Sequence, residues 1–199
     1  MNMYYIIGLG NIGERYEGTR HNVGFMTLDS VRDRWGFESW QKDSYVQAHI
    51  SCGEVNGRQV VLVKPDTYMN NSGRVIPELR KRGLEIERCV LIHDEIDLPL
   101  GIVKINSSKG HGGHRGVRSV MEALDSKDIL RARIGVLPHL VEVGQIKRVG
   151  GKSAVKSFIL GRFNEEERGE IEGVFERARV YLETFLKEGR EKVISSCTG

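Results

Sequence analysis

"YYIIGLGNIGERYEGTRHNVGF", residues 4–25, decides how the fold begins. Tyr4 to Leu9 form a short apolar run, and Gly8, Gly10 and Gly13 follow the G-x-G-x-x-G spacing of a dinucleotide-binding turn. That turn needs a helix opening inside the glycines, its N-terminus at the pyrophosphate, and an acid about 20 residues further on at the end of a second strand. Here Gly18 is interposed, "ERYEGTRHN" delays the helix to about Asn22, and Asp29, the acid at a suitable distance, falls inside the helix. The dinucleotide frame fails twice. The glycines are expected instead to let the backbone turn tightly and expose Asn11.

Working outward, Phe25, Leu28, Val31 and Trp35 recur at helical spacing and mark the inner face of the helix. Val46, Ala48, Ile50 and Cys52 alternate, "EVNGRQ" follows, and Val60 to Val63 complete a hairpin turning at Asn56-Gly57. In "NNSGRVIPELRKRGLE" Ser72 offers a helix cap, Gly83 a stop, and Pro77 is tolerated in the first turn. "CVLIHDEIDL" suits a central strand that delivers His93, Asp94 and Glu95 to its carboxyl end, and "GIVKINSS" is a further strand. Next comes "KGHGGHRG", a loop with four glycines in eight residues, then a helix near Val117 to Leu124 and a strand from Arg133 to Leu137. Residues 138–154 show no clean period, carry Lys147, Arg148 and Lys152, and are expected to be a flexible basic loop. Asn164 and Glu167 spell a capping box for a last helix whose apolar stripe is Ile171, Val174, Phe175, Ala178, Leu182 and Phe185. The alternation predicts one α/β domain over residues 1–199, with a core of about residues 4–187: a mixed twisted sheet with helices on both faces.

At 199 residues there is room for one well-buried core but not for separate nucleotide and substrate domains. No apolar run approaches the roughly 18 residues of a membrane span, and the first residues lack a secretory signal, so a cytoplasmic monomer is expected. Cys52, Cys89 and Cys197 are far apart and never in a C-x-x-C pair, which suggests neither a disulfide framework nor a thiolate zinc site. Cys52 and Cys89 read as small core residues. The net charge of +3 does not diagnose nucleic acid, so any RNA surface must arise from how the charges are distributed.

Loops after the carboxyl ends of the strands gather round one crevice in such sheets. Four segments qualify: Asn11 to Asn22, Asp66 to Ser72, His93 to Asp97, and Gly110 to Arg115. They bring together His21, His93, His111, His114, Asp94, Asn11, Asn22, Asn70 and Asn71. A metal is disfavoured, because H-x-x-H in a glycine loop has no helix or strand to aim both rings at one point. A serine nucleophile is disfavoured because no G-x-S-x-G elbow occurs. A histidine base activating water, oriented by a carboxylate and flanked by amides, needs only groups already present.

"TRHN", "VKPDTYMNNSG", "HDEIDLPLG", "GHGGHRG" and "RARIGV", in this order, make the chain similar to the bacterial-type peptidyl-tRNA hydrolases over about residues 4–187. The resemblance implies hydrolysis of the ester between a peptide and the 3′ ribose of tRNA, without metal, cofactor or covalent intermediate. It implies His21 as the base and Asp94 as the carboxylate that sets its tautomer, with Glu95 and Asp97 as alternative carboxylates. It further implies Asn11 and Asn70 on the peptide backbone near the ester, and Tyr16 and Tyr68 along the substrate channel. Arg133, with Lys104 and the basic loop, would meet phosphates, and the partner would be the acceptor stem and CCA end of peptidyl-tRNA. Two departures stand out. Arg115 occupies a place where the family commonly has Asn, so a substrate contact there changes from amide to fixed cation. "LPHLVEVGQIKRVGGKSAVKSF" lacks the usual glycine-proline segment, so the lid is expected to differ in shape. The rival from another class is a noncatalytic RNA-binding protein on the same fold; His21 and Asp94 favour the enzyme.

Overall fold

A strand covered on both faces must be apolar on both, and the run Cys89 to Ile92 meets that demand. It lies inside the sheet. The computed structural model describes residues 3–107, 110–138 and 143–197, with the backbone alone over 143–150. Among these residues the strands are β1 (Met3–Gly8), β2 (Gln41–Asp43), β3 (Ala48–Val55), β4 (Arg58–Pro65), β5 (Cys89–Pro99), β6 (Val103–Asn106) and β7 (Leu130–Leu137). They form one sheet in the order β2-β3-β4-β1-β5-β7-β6. β1 runs parallel to β4 and β5, and β5 parallel to β7. The outer strands β2, β3 and β6 pair antiparallel with their neighbours, so the sheet is mixed, as expected.

Side-chain alternation along the central strands builds two cores. Ile6, Leu62, Val90 and Ile92 pack with Leu28 and Val31 of α1 (Val23–Trp35) and with Val174, Phe175 and Phe185 of α5 (Glu165–Glu188). Val193 of α6 (Arg190–Ser196) joins the same face. Tyr5, Ile7, Val63 and Leu91 pack on the other face with Ile76 and Leu79 of α2 (Ile76–Lys81) and Val117 and Val120 of α3 (Arg115–Leu124). Helices therefore cover both faces. The capping box of α5 is made, Asn164 and Glu167 each bonding the other's backbone N–H at 2.8 Å. All six residues of its apolar stripe are buried. At about 1.5–3 kcal/mol per buried side chain, that stripe outweighs the roughly 1 kcal/mol lost at each of Gly169 and Gly173.

The glycine run has a mechanical explanation. A Cβ on Gly8 would lie 2.5 Å from the carbonyl oxygen of Gly24, and one on Gly24 would lie 2.5 Å from that of Leu9, so the first turn of α1 rests directly on β1. The Leu9 amide is already taken by the carbonyl of Ile92 at 2.8 Å, and that of Asn11 by the side chain of Asn22 at 2.8 Å. These N–H groups are engaged inside the protein. After two 3₁₀ turns, Glu14–Tyr16 and Arg20–Asn22, α1 begins at Val23, close to where the sequence placed it. The hairpin turns at Asn56 (φ 51°) and Gly57 (φ 72°), the two positive φ angles of a type I′ turn.

Several expectations need correction. Ser72 does not cap a helix: it lies buried inside a 3₁₀ stretch, Met69–Val75, and its hydroxyl donates to the carbonyl of Met69 at 2.8 Å. Phe25 is only half-buried, because its ring covers Gly10 rather than entering the core. Cys52 is exposed, since β3 lies near the sheet edge, while Cys89 is buried in β5. The basic segment is not a loop throughout. Residues 139–142 lie outside the described residues, but Val143–Ile159 form α4, interrupted at Gly151 (φ 54°, ψ −141°). Gly144, Gly150 and Gly151 hid a helical repeat that Val155, Phe158 and Ile159 continue with half-buried side chains. Among the described residues no helix is long and apolar enough to cross a membrane.

Candidate active site

β5 carries His93, Asp94 and Glu95 in succession, and Asp94 is the hub of the histidine cluster. One oxygen of the carboxylate, Oδ1, accepts from Nδ1 of His21 and from Nε2 of His114, each at 2.8 Å. Asp94 is 4% exposed, so it is a desolvated charge held by two donors. The partners fix both tautomers. Nδ1 of His114 accepts from the amides of Gly116 and Val117 at 3.2 Å, capping α3, and its proton therefore sits on Nε2. Nδ1 of His21 donates to Asp94, which leaves Nε2 with its lone pair. His93 is turned the other way. Its Nδ1 donates to the carbonyl of Asp94 at 2.7 Å, its ring lies 4.9 Å from that of His114, and its Nε2 is buried without a partner.

The amides form a second layer. Asn11 is 8% exposed, not presented on a turn as expected. Its main chain exchanges two hydrogen bonds with the side chain of Asn22, at 2.8 and 2.9 Å, and its Oδ1 accepts from the Met69 amide at 3.0 Å. Those bonds sew the His21 turn to the segment holding Tyr68 and Asn70. Tyr16 and Tyr68 meet edge to face with centroids 6.4 Å apart, and the guanidinium of Arg15 lies 4.6 Å from the Tyr16 ring. Asn70 is exposed and donates to Asn71 Oδ1 at 3.2 Å.

Electrostatics follow from this geometry. Burial alone would push the carboxyl of Asp94 up, but the two imidazoles hold it far below the usual carboxylate range. Burial would likewise pull His21 down. The charge and hydrogen bond of Asp94 outweigh it and raise His21 above its ordinary value, with Arg115 opposing. His93 falls well below its ordinary value through burial and the neighbouring His114 and Arg131, and stays neutral. Among the described residues, His21, Asp94 and His114 are the one set of three or more side chains whose metal-ligating atoms all lie within 4.8 Å of one another. A cation bound by His114 there would have to displace the Nε2 proton, and neutral imidazole would then carry its proton on Nδ1, facing two amide donors. The cap of α3 works against that.

Residues 5–199 match the family model described as Peptidyl-tRNA hydrolase. The peptidyl-tRNA hydrolase of Syntrophotalea carbinolica is 35% identical over 194 residues, covering 97% of this chain and 95% of the relative. That of Nocardia farcinica is 39% identical over 189 residues, covering 94% and 91%. The crystal structure of peptidyl-tRNA hydrolase from Acinetobacter baumannii superposes with a TM-score of 0.86 at 28% identity, covering 98% of this chain and 94% of that one. This chain belongs to the peptidyl-tRNA hydrolase family. It is an enzyme of the hydrolase class. Among the residues named from that resemblance, Arg133 and Lys104 share a cross-strand register on β7 and β6, and Arg133 also pairs in register with His93 on β5. Lys104 is exposed, whereas the guanidinium of Arg133 is tied to Glu95 at 2.8 and 2.9 Å. Glu95 is thereby engaged elsewhere, and Asp97 is exposed on the far side of it in sequence, so Asp94 is the carboxylate on His21. Arg115 is exposed at the first position of α3, a cation at the positive end of a helix dipole. The side chains of Lys147 and Arg148 lie outside the described residues; Lys152 is exposed on α4.

Two participants were missed in the sequence. His114 counted as one imidazole among several, although its place just before an apolar helical run was the signal for a cap. In the sequence Asn22 reads only as a loop amide. Its signal was weaker, a polar residue at the start of a helix whose side chain points back rather than forward.

Proposed function

We propose that this chain hydrolyses the ester of peptidyl-tRNA by water activated at Nε2 of His21, without a metal. The observation that carries the reading is the His21–Asp94 hydrogen bond, which uses Nδ1 of the imidazole and leaves the lone pair on Nε2. Nε2 takes a proton from water as the oxygen attacks the ester carbonyl, and Asp94 stabilises the imidazolium that forms. The tetrahedral intermediate then expels the ribose 3′ oxygen, which recovers the proton from His21. Peptide carboxylate and free tRNA leave. Asn11, with its Nδ2 left over after Oδ1 is bonded to Met69, and exposed Asn70 supply amides to the peptide and the developing oxyanion. Tyr16 and Tyr68 present ring faces to the peptide or the terminal adenine.

Lys104 and Arg133 meet tRNA phosphate, with Arg115 reaching the CCA end. The one-sided basic rung on β6 and β7 supports an RNA contact there. The work belongs in the cytoplasm, where peptidyl-tRNA is made. Incubating the purified protein with a peptidyl-tRNA, with and without a chelator, and following the release of free tRNA tests the reading. Release unaffected by the chelator is expected. No release, with RNA still bound, would favour the noncatalytic alternative; release abolished by the chelator and restored by a divalent ion would overturn metal independence.

A further inference from the structure

A three-residue 3₁₀ turn has too few hydrogen bonds of its own to fix where its middle side chain points. His21 is that middle residue, in Arg20–Asn22. One flank is held by the Asn22–Asn11 exchange. The other is Arg20, and it is held more heavily than any turn arginine needs to be. Its NH2 donates to both carboxylate oxygens of Glu167 at 2.7 Å, and its NH1 donates to the carbonyl of Arg162 at 3.0 Å. Its guanidinium lies 4.6 Å from the Phe158 ring centroid and 5.3 Å from that of Phe163. The backbone joins in. The Arg20 amide donates to the carbonyl of Gly161 at 3.0 Å, the Phe163 amide to that of Gly18 at 3.3 Å, and Thr19 bridges Arg162.

Phe158 belongs to the last turn of α4, and Glu167 caps α5, so this knot attaches the base-bearing turn to the junction of those helices. Side-chain exposures of 11% and 8% make the Arg20–Glu167 pair a buried one, and the Nε of Arg20 is buried without a partner. Two buried charges and an unsatisfied donor are a poor route to stability alone, because desolvation offsets most of the attraction. A rigid planar fork is a good route to fixing an angle.

We propose that Arg20, clamped by Glu167, is a positioning residue that fixes the orientation of His21 by locking its turn to the α4–α5 junction. The inference rests on His21 as the base. A misplacement of about 1 Å in a catalytic group lowers turnover by up to about 100-fold, so the clamp acts on kcat and leaves substrate affinity alone.

Two variants test it. Arg20→Lys keeps the charge but loses the fork, and Glu167→Gln keeps a residue that completes a capping box but loses the charge. Both are assayed on peptidyl-tRNA well below their melting temperatures. Each is expected to lose about 10-fold in kcat with KM within about twofold of the parent. In proton NMR the imidazole Nδ1–H resonance of His21, sheltered by Asp94, is expected to broaden in both while backbone amide signals stay in place. Unchanged kcat and an unchanged imidazole resonance, with only a lower melting temperature, would overturn the proposal. So would a rise in KM at constant kcat that vanished on a short peptidyl-CCA substrate, since Arg20 would then be contacting RNA. If the parent itself releases no tRNA, the hydrolase reading fails, and the NMR comparison still decides whether Arg20 orients His21.

Discussion

Two histidines approach Asp94 from different parts of the chain, the 3₁₀ turn at His21 and the glycine loop ending at His114. Both lie 2.8 Å from the same oxygen, and their side chains are 11% and 10% exposed. Distance and burial do not separate them. What differs is the second ring nitrogen. That of His114 is bonded to two amides at the start of α3, so its ring is committed on both sides. Among the described residues, His21 is bonded on one side only. In the mechanism we propose, the same side chain on the same carboxylate is thus a brace in one place and a base in the other, and the backbone around each makes the choice.

The sharpest way to break this comparison is His21→Ala. Turnover is expected to fall by about 10²- to 10⁴-fold with tRNA binding nearly intact, measured as steady-state kcat beside a filter-binding affinity. Undiminished turnover would remove His21 from the chemistry.

Asp94→Asn should be milder, at about 10-fold in kcat. An amide oxygen in place of Oδ1 still accepts from both rings, but the charge that raises His21 is gone. The sign of the pH effect follows. A base must be deprotonated to act, so the parent's kcat/KM rises with pH through a His21 pKa lying above the ordinary 6.5. In Asp94→Asn that limb should move to lower pH, and a limb that stays fixed would assign it to another group.

His114→Ala sharpens the contrast. Losing a helix cap costs about 1 kcal/mol of stability, read by denaturant unfolding, while kcat should fall only several-fold (about 3- to 10-fold). A loss matching that of His21→Ala would make the two rings equal partners.

The smallest effect on turnover is expected at Arg115. Arg115→Ala should raise KM several-fold with little change in kcat, and Arg115→Asn should restore part of the affinity. Because the Arg115 cation lowers the pKa of His21, removing it should move the acid limb to higher pH, opposite to Asp94→Asn. A kcat loss as large as that of His21→Ala with unaltered KM would place Arg115 in the chemical step.

Much of this is readable in the amino-acid sequence. Patterns that repeat locally survive folding: the apolar run of β5, the Asn56-Gly57 turn and the capping box at Asn164 each carry their own geometry. Asp94 could be named as a candidate because a strand end delivers it, but choosing it over Glu95 needed the Arg133 contact on a neighbouring strand. Ser72 failed for a related reason. Its letters suit a cap, and only packing against α3, where the Gly73 amide meets the Ser119 hydroxyl at 3.0 Å, draws the segment into a 3₁₀ turn. Asn11 reads as an exposed turn amide, whereas long-range bonds to Asn22 and Met69 bury it. α4 was obscured by glycines, which erase hydrophobic period without forbidding helical backbone.

The contact between Gly8 and Gly24 reaches beyond this enzyme. A text search for G-x-G-x-x-G collects chains by a shared absence of side chains, and two unrelated needs produce that absence: room for a pyrophosphate, or room for a helix lying flush on a strand. The two can be told apart by asking who occupies the amides. In this chain Ile92 and Asn22 already hold those of Leu9 and Asn11. A nucleotide would have to displace a sheet carbonyl and the Asn22 side chain to reach them, so a screen that docks phosphate against such loops should first discard every loop whose amides are spoken for.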